Sequence, residues 1–253
     1  MLRPLFSLVS MAAFVYLALC AWLFIAQRSM IYYPQPRHCG GSADLITLQV
    51  EGAHLQVSAR LHGGHQALIY FGGNAEDVSC TLPDLAVAFP DHALYLPHYR
   101  GYGGSSGTPS EAALHADALA LFDKVHREHA RVVVIGRSLG SGVAVQLASR
   151  RPVARLVLVT PYDSLEELAG HHYSWFPVRW LLRDKFESWR HAVQVQAPTL
   201  LLAAEHDEVI PHARTEALHA RFRDGVASMR VLAGTGHNTI GASPEYLRLL
   251  TGS

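Results

Sequence analysis

The stretch Val132-Val133-Val134-Ile135-Gly136-Arg137-Ser138-Leu139-Gly140-Ser141-Gly142 carries four apolar β-formers straight into Gly-x-Ser-x-Gly. The order has a mechanical meaning. A buried strand ends, a tight turn exposes one serine, and a helix of small residues begins. The flanking glycines let the backbone take a strained turn and let strand and helix approach closely. Ser138 is therefore the candidate nucleophile, presented above a sheet and not buried within it. The competing interpretation is a glycine-rich strand-to-helix turn with an idle serine.

The flanking sequence repeats this strand–helix alternation. Upstream, residues 45–60 alternate as two strands around Glu51-Gly52, and residues 67–71 (ALIYF) and 92–97 (HALYLP) read as buried strands. Helical spacing marks 75–89 and 111–129. Downstream, 140–150 reads as a helix, 154–160 as a strand, 198–205 as a strand, 211–222 as a helix, 227–233 as the last strand and 244–250 as the closing helix. Residues 161–196 are irregular and aromatic. Continuous apolar strands alternating with amphipathic helices mean a mostly parallel α/β sheet covered on both faces. About eight strands are expected, the first two antiparallel.

A serine nucleophile needs a base, and the base needs a carboxylate that fixes its tautomer. The strand ending at Ala204 opens into Glu205-His206-Asp207-Glu208, and Asp207 lies where catalytic groups gather in open α/β sheets. Glu205, Glu208 and Asp163 are the alternates. After the last strand comes Ala233-Gly234-Thr235-Gly236-His237-Asn238, which makes His237 the candidate base; His206 is weaker. The chain order Ser, acid, His is the one associated with this elbow. An oxyanion hole needs two backbone N–H groups. One is expected from Leu139 and the other from Gly73 or Asn74, after the strand at 67–71.

At the N-terminus, Leu5 to Ala26 is uncharged and, at helical rise, about 33 Å long, enough to cross a bilayer core. Tyr32 and Tyr33 follow where an interfacial belt would stand. The run is long for a signal peptide and QRSMIYYP offers no convincing cleavage site. Residues 1–30 are read as a retained single-pass anchor and 31–253 as the folded domain, with 161–196 as a small cap. Arg3 and the α-amino group on one side balance Arg28 and Arg37 on the other, so charge assigns no side of the membrane.

The 253 residues suit one such domain, and zero net charge argues against nucleic acid as a partner. No metal-ligand spacing is present among the 16 histidines; His62, His65, His115 and His219 are expected at the surface. No metal or cofactor is expected. Three cysteines make no disulfide framework, although Cys39 and Cys80 could pair in an exported domain.

These blocks together resemble the α/β-hydrolase superfamily and, within it, the Bem46-like group of membrane-anchored serine hydrolases, which includes α/β-hydrolase-domain proteins 13 and 17. The resemblance covers nearly the whole chain. QRSMIYYP resembles the group's entry segment, YFGGNAED its oxyanion segment and HYRGYGGSSGTPSE its arginine-glycine-tyrosine loop. GRSLGSGVAV, TPYDSL, HHYSWFPVRWLLRDKFES, PTLLLAAEHDEVIP and GTGHN are similar to the remaining blocks. The resemblance implies Ser138 as nucleophile, Asp207 as acid, His237 as base and Asn74 as an oxyanion donor. The chain departs at Gly72, where relatives often carry His, and at Thr239, where they often carry an acid. An ester or thioester of an apolar, lipid-like acyl group is the expected substrate, on the strength of the anchor and an aromatic cap. An aminopeptidase is the alternative; it would need Glu166, Glu167 or Glu187 to bind an α-ammonium. A catalytically silent binding protein is the alternative of another class.

Overall fold

Alternate residues of the buried strands face different helices, and that alternation builds the fold. The structure is a computed structural model describing residues 2–41 and 45–252. The Met1 amino group, part of the charge comparison above, lies outside the described residues. Eight strands, β1 (Leu45–Val50), β2 (Ala53–Arg60), β3 (Gln66–Phe71), β4 (Ala93–Pro97), β5 (Arg131–Arg137), β6 (Arg155–Val159), β7 (Thr199–Ala204) and β8 (Ala227–Leu232), form one sheet. Their order is β1-β2-β4-β3-β5-β6-β7-β8. From β3 onward all pairings are parallel; β2 runs antiparallel to both β1 and β4. This is the sheet the sequence pattern implies.

The helices are α1 (Leu2–Ile31), α2 (Leu82–Ala88), α3 (Glu111–Glu128), α4 (Leu139–Ala148), α5 (Leu165–His172), α6 (Val178–Leu181), α7 (Ser188–Ala192), α8 (His212–His219) and α9 (Tyr246–Thr251). Val132, Val134, Leu156, Leu158 and Leu201 pack with Leu121 and Phe122 of α3 and Val143 and Leu147 of α4. On the opposite face Leu68, Ile135, Val157 and Leu202 pack with Leu85 of α2 and Leu250 of α9. Full burial of each such side chain is worth about 1.5–3 kcal/mol. A register slip of one residue would exchange the two faces, so the two helix layers fix the register.

Two expectations need correction. The helix expected over 75–89 is broken: Asp77 caps a one-turn 3-10 segment (Val78–Cys80) by accepting from the Ser79 N–H, and α2 starts only at Leu82. Pro83 fits that first turn, where its missing N–H has no helical partner to lose. The irregular 161–196 segment contains α5, α6 and α7. Ser164 accepts from the Glu167 N–H at 3.0 Å and caps α5, a Ser-x-x-Glu start signal within an otherwise aperiodic stretch.

Two local findings also differ from the sequence reading, and a third takes up a pairing it left open. Tyr32 is buried and its hydroxyl donates to Asp184 at 3.1 Å, so only Tyr33 remains exposed after α1. His115 is partly buried, edge-on to Phe186, and burial pushes its pKa down to about 4. Cys39 and Cys80 form a disulfide with Cα atoms 5.0 Å apart, which ties the segment after α1 to the turn before α2.

Candidate active site

The elbow is built by close packing that only glycine permits. A Cβ on Gly136 would lie 2.6 Å from Ala144 Cβ, and one on Gly140 would collide with the Phe71 carbonyl at the end of β3. Ser138 itself adopts φ 50° and ψ −118°. Such a conformation costs a non-glycine residue on the order of 1–3 kcal/mol and persists only where neighbours over-determine it. Here the Ser138 N–H donates to Val159 O at 2.9 Å, and the Ser138 carbonyl accepts from the Ser141 N–H at 2.9 Å and its hydroxyl at 2.7 Å.

The structure brings Ser138, His237 and Asp207 together from three separate loops. His237 Nε2 lies 3.0 Å from Ser138 Oγ, and His237 Nδ1 lies 3.0 Å from each Asp207 carboxylate oxygen. A carboxylate only accepts, so Nδ1 carries the proton and Nε2 is left to accept from the serine hydroxyl. Asp207 Oδ1 also takes the N–H groups of Val209 at 2.9 Å and Ile210 at 2.7 Å. Burial alone would raise the Asp207 pKa; the His237 hydrogen bond and these N–H groups outweigh it and hold the carboxyl below its ordinary value.

The alternates have other partners. Glu205 accepts from Gly234 N–H at 2.7 Å and Glu208 from His237 N–H at 3.1 Å, so both brace the histidine loop. Asp163 is paired with Arg214 at 3.1 Å. His206 is exposed and lies beside Glu205.

The loop after β3 is held by hydrogen bonds to two of its carbonyls and one of its amides. Tyr99 donates to Gly72 O at 2.8 Å, Tyr102 to Asn74 O at 2.5 Å, and the Gly73 N–H donates to Glu76 Oε2 at 2.8 Å. The Gly73 N–H is therefore already committed, which removes it as an oxyanion donor. Among the described residues, the N–H groups of Asn74 and Leu139 have no protein acceptor, and both residues line the cavity beside Ser138.

Sequence reasoning missed Glu76 and Arg137. Tyr70 and Thr81 hydroxyls donate to Glu76 Oε1, both at 2.8 Å, and Arg137 donates to Oε2 at 3.0 Å. Arg137 also reaches Asn238 Oδ1 at 3.3 Å, next to His237. One carboxylate thus joins the loop after β3, the elbow and the histidine loop. The available signal was the acid three residues past the Gly-Gly turn and the arginine inside the elbow; neither has periodicity to mark it.

Above Ser138 lies a cavity of about 810 Å³. Its floor is Ser138, Leu139, His237 and the Asn74 loop. Leu165, Leu168, Phe176 and Leu181 of the cap form one side, and Leu23, Gln27, Met30 and Ile31 of α1 the other. The cavity is largely aliphatic: of the cap's aromatic side chains Tyr173 and Phe176 line it, whereas Phe186 is buried in the core and Trp189 packs under Arg190 and Arg221.

The family profile of the alpha/beta hydrolase fold matches residues 66–188, and that of TAP-like proteins residues 166–245. An uncharacterized protein of Mycobacterium tuberculosis is 36% identical over 94% of this chain and 89% of its own length. The chain belongs to the α/β-hydrolase family. The lysophosphatidylserine lipase ABHD12 of Macaca fascicularis is 31% identical to this hydrolase over 75% of the chain, which spans 56% of the lipase. An esterase from Pyrococcus furiosus shares the fold, with a TM-score of 0.67, 16% identity, and coverage of 87% of this chain and 97% of the esterase. A Burkholderia xenovorans enol-lactonase superposes with a TM-score of 0.64 at 16% identity, covering 82% and 98%. At these identities the solved structures speak to the fold alone.

Proposed function

We propose that this hydrolase cleaves carboxylic esters or thioesters of apolar acyl groups through an acyl-enzyme on Ser138. The observation that carries the reading is the continuous hydrogen-bonded line Ser138–His237–Asp207 at 3.0 Å per step, on a strained elbow, under an apolar cavity. His237 Nε2 takes the Ser138 proton as Oγ attacks the carbonyl carbon. The N–H groups of Leu139 and Asn74 receive the oxyanion. His237 returns the proton to the leaving oxygen or sulfur, then activates water to release the acid. Asp207 stays ionised throughout and stabilises the imidazolium.

The aliphatic lining and the lipid-acting relative support an acyl chain as the group bound. The aminopeptidase alternative loses its ammonium site. Glu166 is paired with Lys185, Glu167 with Arg214 and Glu187 with Arg190, and none of the three lines the cavity.

We further read residues 1–30 as a membrane anchor and 31–253 as the catalytic domain, since α1 is long and apolar enough to cross a bilayer. The Cys39–Cys80 disulfide supports a catalytic domain on the oxidising side of that membrane. Hydrolysis of acyl esters and thioesters from acetyl to palmitoyl by the detergent-solubilised chain tests the reading. Turnover that rises with chain length and is lost in Ser138→Ala is expected. Ser138-independent turnover, or turnover of peptides alone, would overturn it.

A further inference from the structure

The helix α1 touches the rest of the molecule along only its second half, and the levels of those contacts are informative. Side chains from Arg3 to Leu19 are all exposed. The first contacts are at Tyr16, whose hydroxyl donates to Trp175 O at 3.1 Å and whose ring stacks on Phe176 at 5.9 Å. Next, Arg183 lies over the Phe24 ring at 3.9 Å. Gln27 then donates to Leu181 O at 3.0 Å and accepts from the Arg183 N–H at 2.7 Å. Last, Arg28 pairs with Asp184 through two bonds of 2.9 and 3.2 Å.

The free length is too short to span a membrane. Residues 3–15 make about 20 Å of helix, against a hydrocarbon core of about 30 Å. Crossing takes about twenty residues, which carries the span to the neighbourhood of Trp22. Trp22 is exposed, and such a ring suits the interface. Tyr16 then lies about 9 Å below that level. The cap touches Tyr16, so the cap must enter the leaflet to the same depth. Its surface fits that position. Trp175 is 87% exposed and Trp180 83% exposed, large rings that stand mostly free of the protein. Exposed Arg179 and Arg183 accompany them, and Arg183 stands level with Phe24, just above Trp22, where lipid phosphates lie.

We propose that the cap segment Tyr173–Arg183 is a second membrane element, seated in the leaflet beside α1 with Trp175 in the acyl region and Trp180 and the arginines at the headgroup level. The depth matches that of interfacial helices, about 5–10 Å. The consequence for catalysis follows from the cavity. Its α1 wall begins at Leu23, one residue past Trp22, so the chamber stands directly against the lipid. An acyl chain passes from bilayer to Ser138 between α1 and the cap without crossing water. This inference rests on the reading of α1 as a membrane span.

Tryptophan fluorescence of the full chain in phosphatidylcholine/phosphatidylglycerol vesicles, with and without dibrominated phosphatidylcholine, tests it. The wild type and the Trp22→Phe and Trp175→Phe/Trp180→Phe variants are compared. Quenching that persists in Trp22→Phe and falls sharply in Trp175→Phe/Trp180→Phe is expected. Quenching abolished by Trp22→Phe alone would place the cap in water and overturn the proposal while leaving the span intact. No quenching in the wild type would remove both the span and the seated cap. Ser138-dependent turnover of a water-soluble short-chain ester, read on the same samples, reports separately on the hydrolase reading.

Discussion

The floor and the roof of the cavity are held by opposite means. The floor stands on β3, β5, β7 and β8, the side chains of its triad and of Glu76 are hydrogen-bonded, and its one strained residue is fixed by three hydrogen bonds. The roof is made of short helices and one face of α1, joined by a few polar contacts and lined by aliphatic side chains that need only volume. The difference teaches a division of labour. Chemistry requires geometry within a fraction of an ångström and is placed on the sheet. On the proposed function, chain recognition requires only an apolar space, which the roof elements enclose. Substitutions should separate accordingly: floor variants change kcat for every substrate, and roof variants change the ratio between long and short acyl chains.

The largest effect is expected at Ser138. Ser138→Ala should lower kcat by on the order of 10⁴ or more for all esters, measured by steady-state hydrolysis. Asp207→Asn should follow, with a loss of about 10⁴-fold, because the amide favours the wrong histidine tautomer. Glu76→Gln tests the floor's positioning network. Loosening the loop that carries Asn74 should reduce kcat by roughly 10–100-fold with little change in KM for short esters. An effect confined to stability, with kcat intact in the folded fraction, would reduce Glu76 to a structural role.

On the roof, Met30→Trp would fill part of the chamber where α1 faces Ser138. The palmitoyl-to-butyryl ratio of kcat/KM should drop by about tenfold. A uniform loss across chain lengths would mean that α1 belongs to the floor's logic instead, and the comparison would fail.

The last effect acts on stability and not on turnover, through pH. Burial pushes His98 and His115 from 6.5 down to about 4 each. Both are neutral in the folded protein, so the unfolded chain binds protons first as pH falls. Their contribution is complete above about pH 6.5 and is lost between about 6.5 and 4, amounting to on the order of 3 kcal/mol each. Urea midpoints at pH 7.5, 5.5 and 4.5 should fall in that order. The depressed Asp207 carboxyl has the same sign but loses its contribution only at still lower pH.

Much of the floor was legible because strands and elbows impose patterns on sequence. Apolar runs at 67–71, 132–135 and 154–159 mark the parallel strands, and the residues just past their carboxyl ends mark the site. Ser138, Asp207 and His237 were named from that placement, and they meet. What was not legible depends on pairings without a period. Glu76 stands only three residues past Gly73, but no periodicity marks it as the acceptor of that N–H, so two loop amides stood equal until the hydrogen bond separated them. Tyr32 looked interfacial because it follows the apolar run; its partner Asp184 is 152 residues away. The Cys39–Cys80 disulfide, one option among three cysteines, needed the approach of two distant loops. The roof was the least legible part, because its wall is shared between an N-terminal helix and a segment some 140 residues later, and an apolar surface carries no signature of what it faces.

The central claim is that Ser138 is the activated nucleophile of an acyl-transfer site. Treating the folded chain with a fluorophosphonate and mapping the adduct by peptide mass spectrometry tests it most directly. A single adduct on Ser138, absent in Ser138→Ala and slowed sharply in His237→Ala, is the predicted result. An unlabelled Ser138 in folded protein, or labelling that is indifferent to His237, would contradict the account.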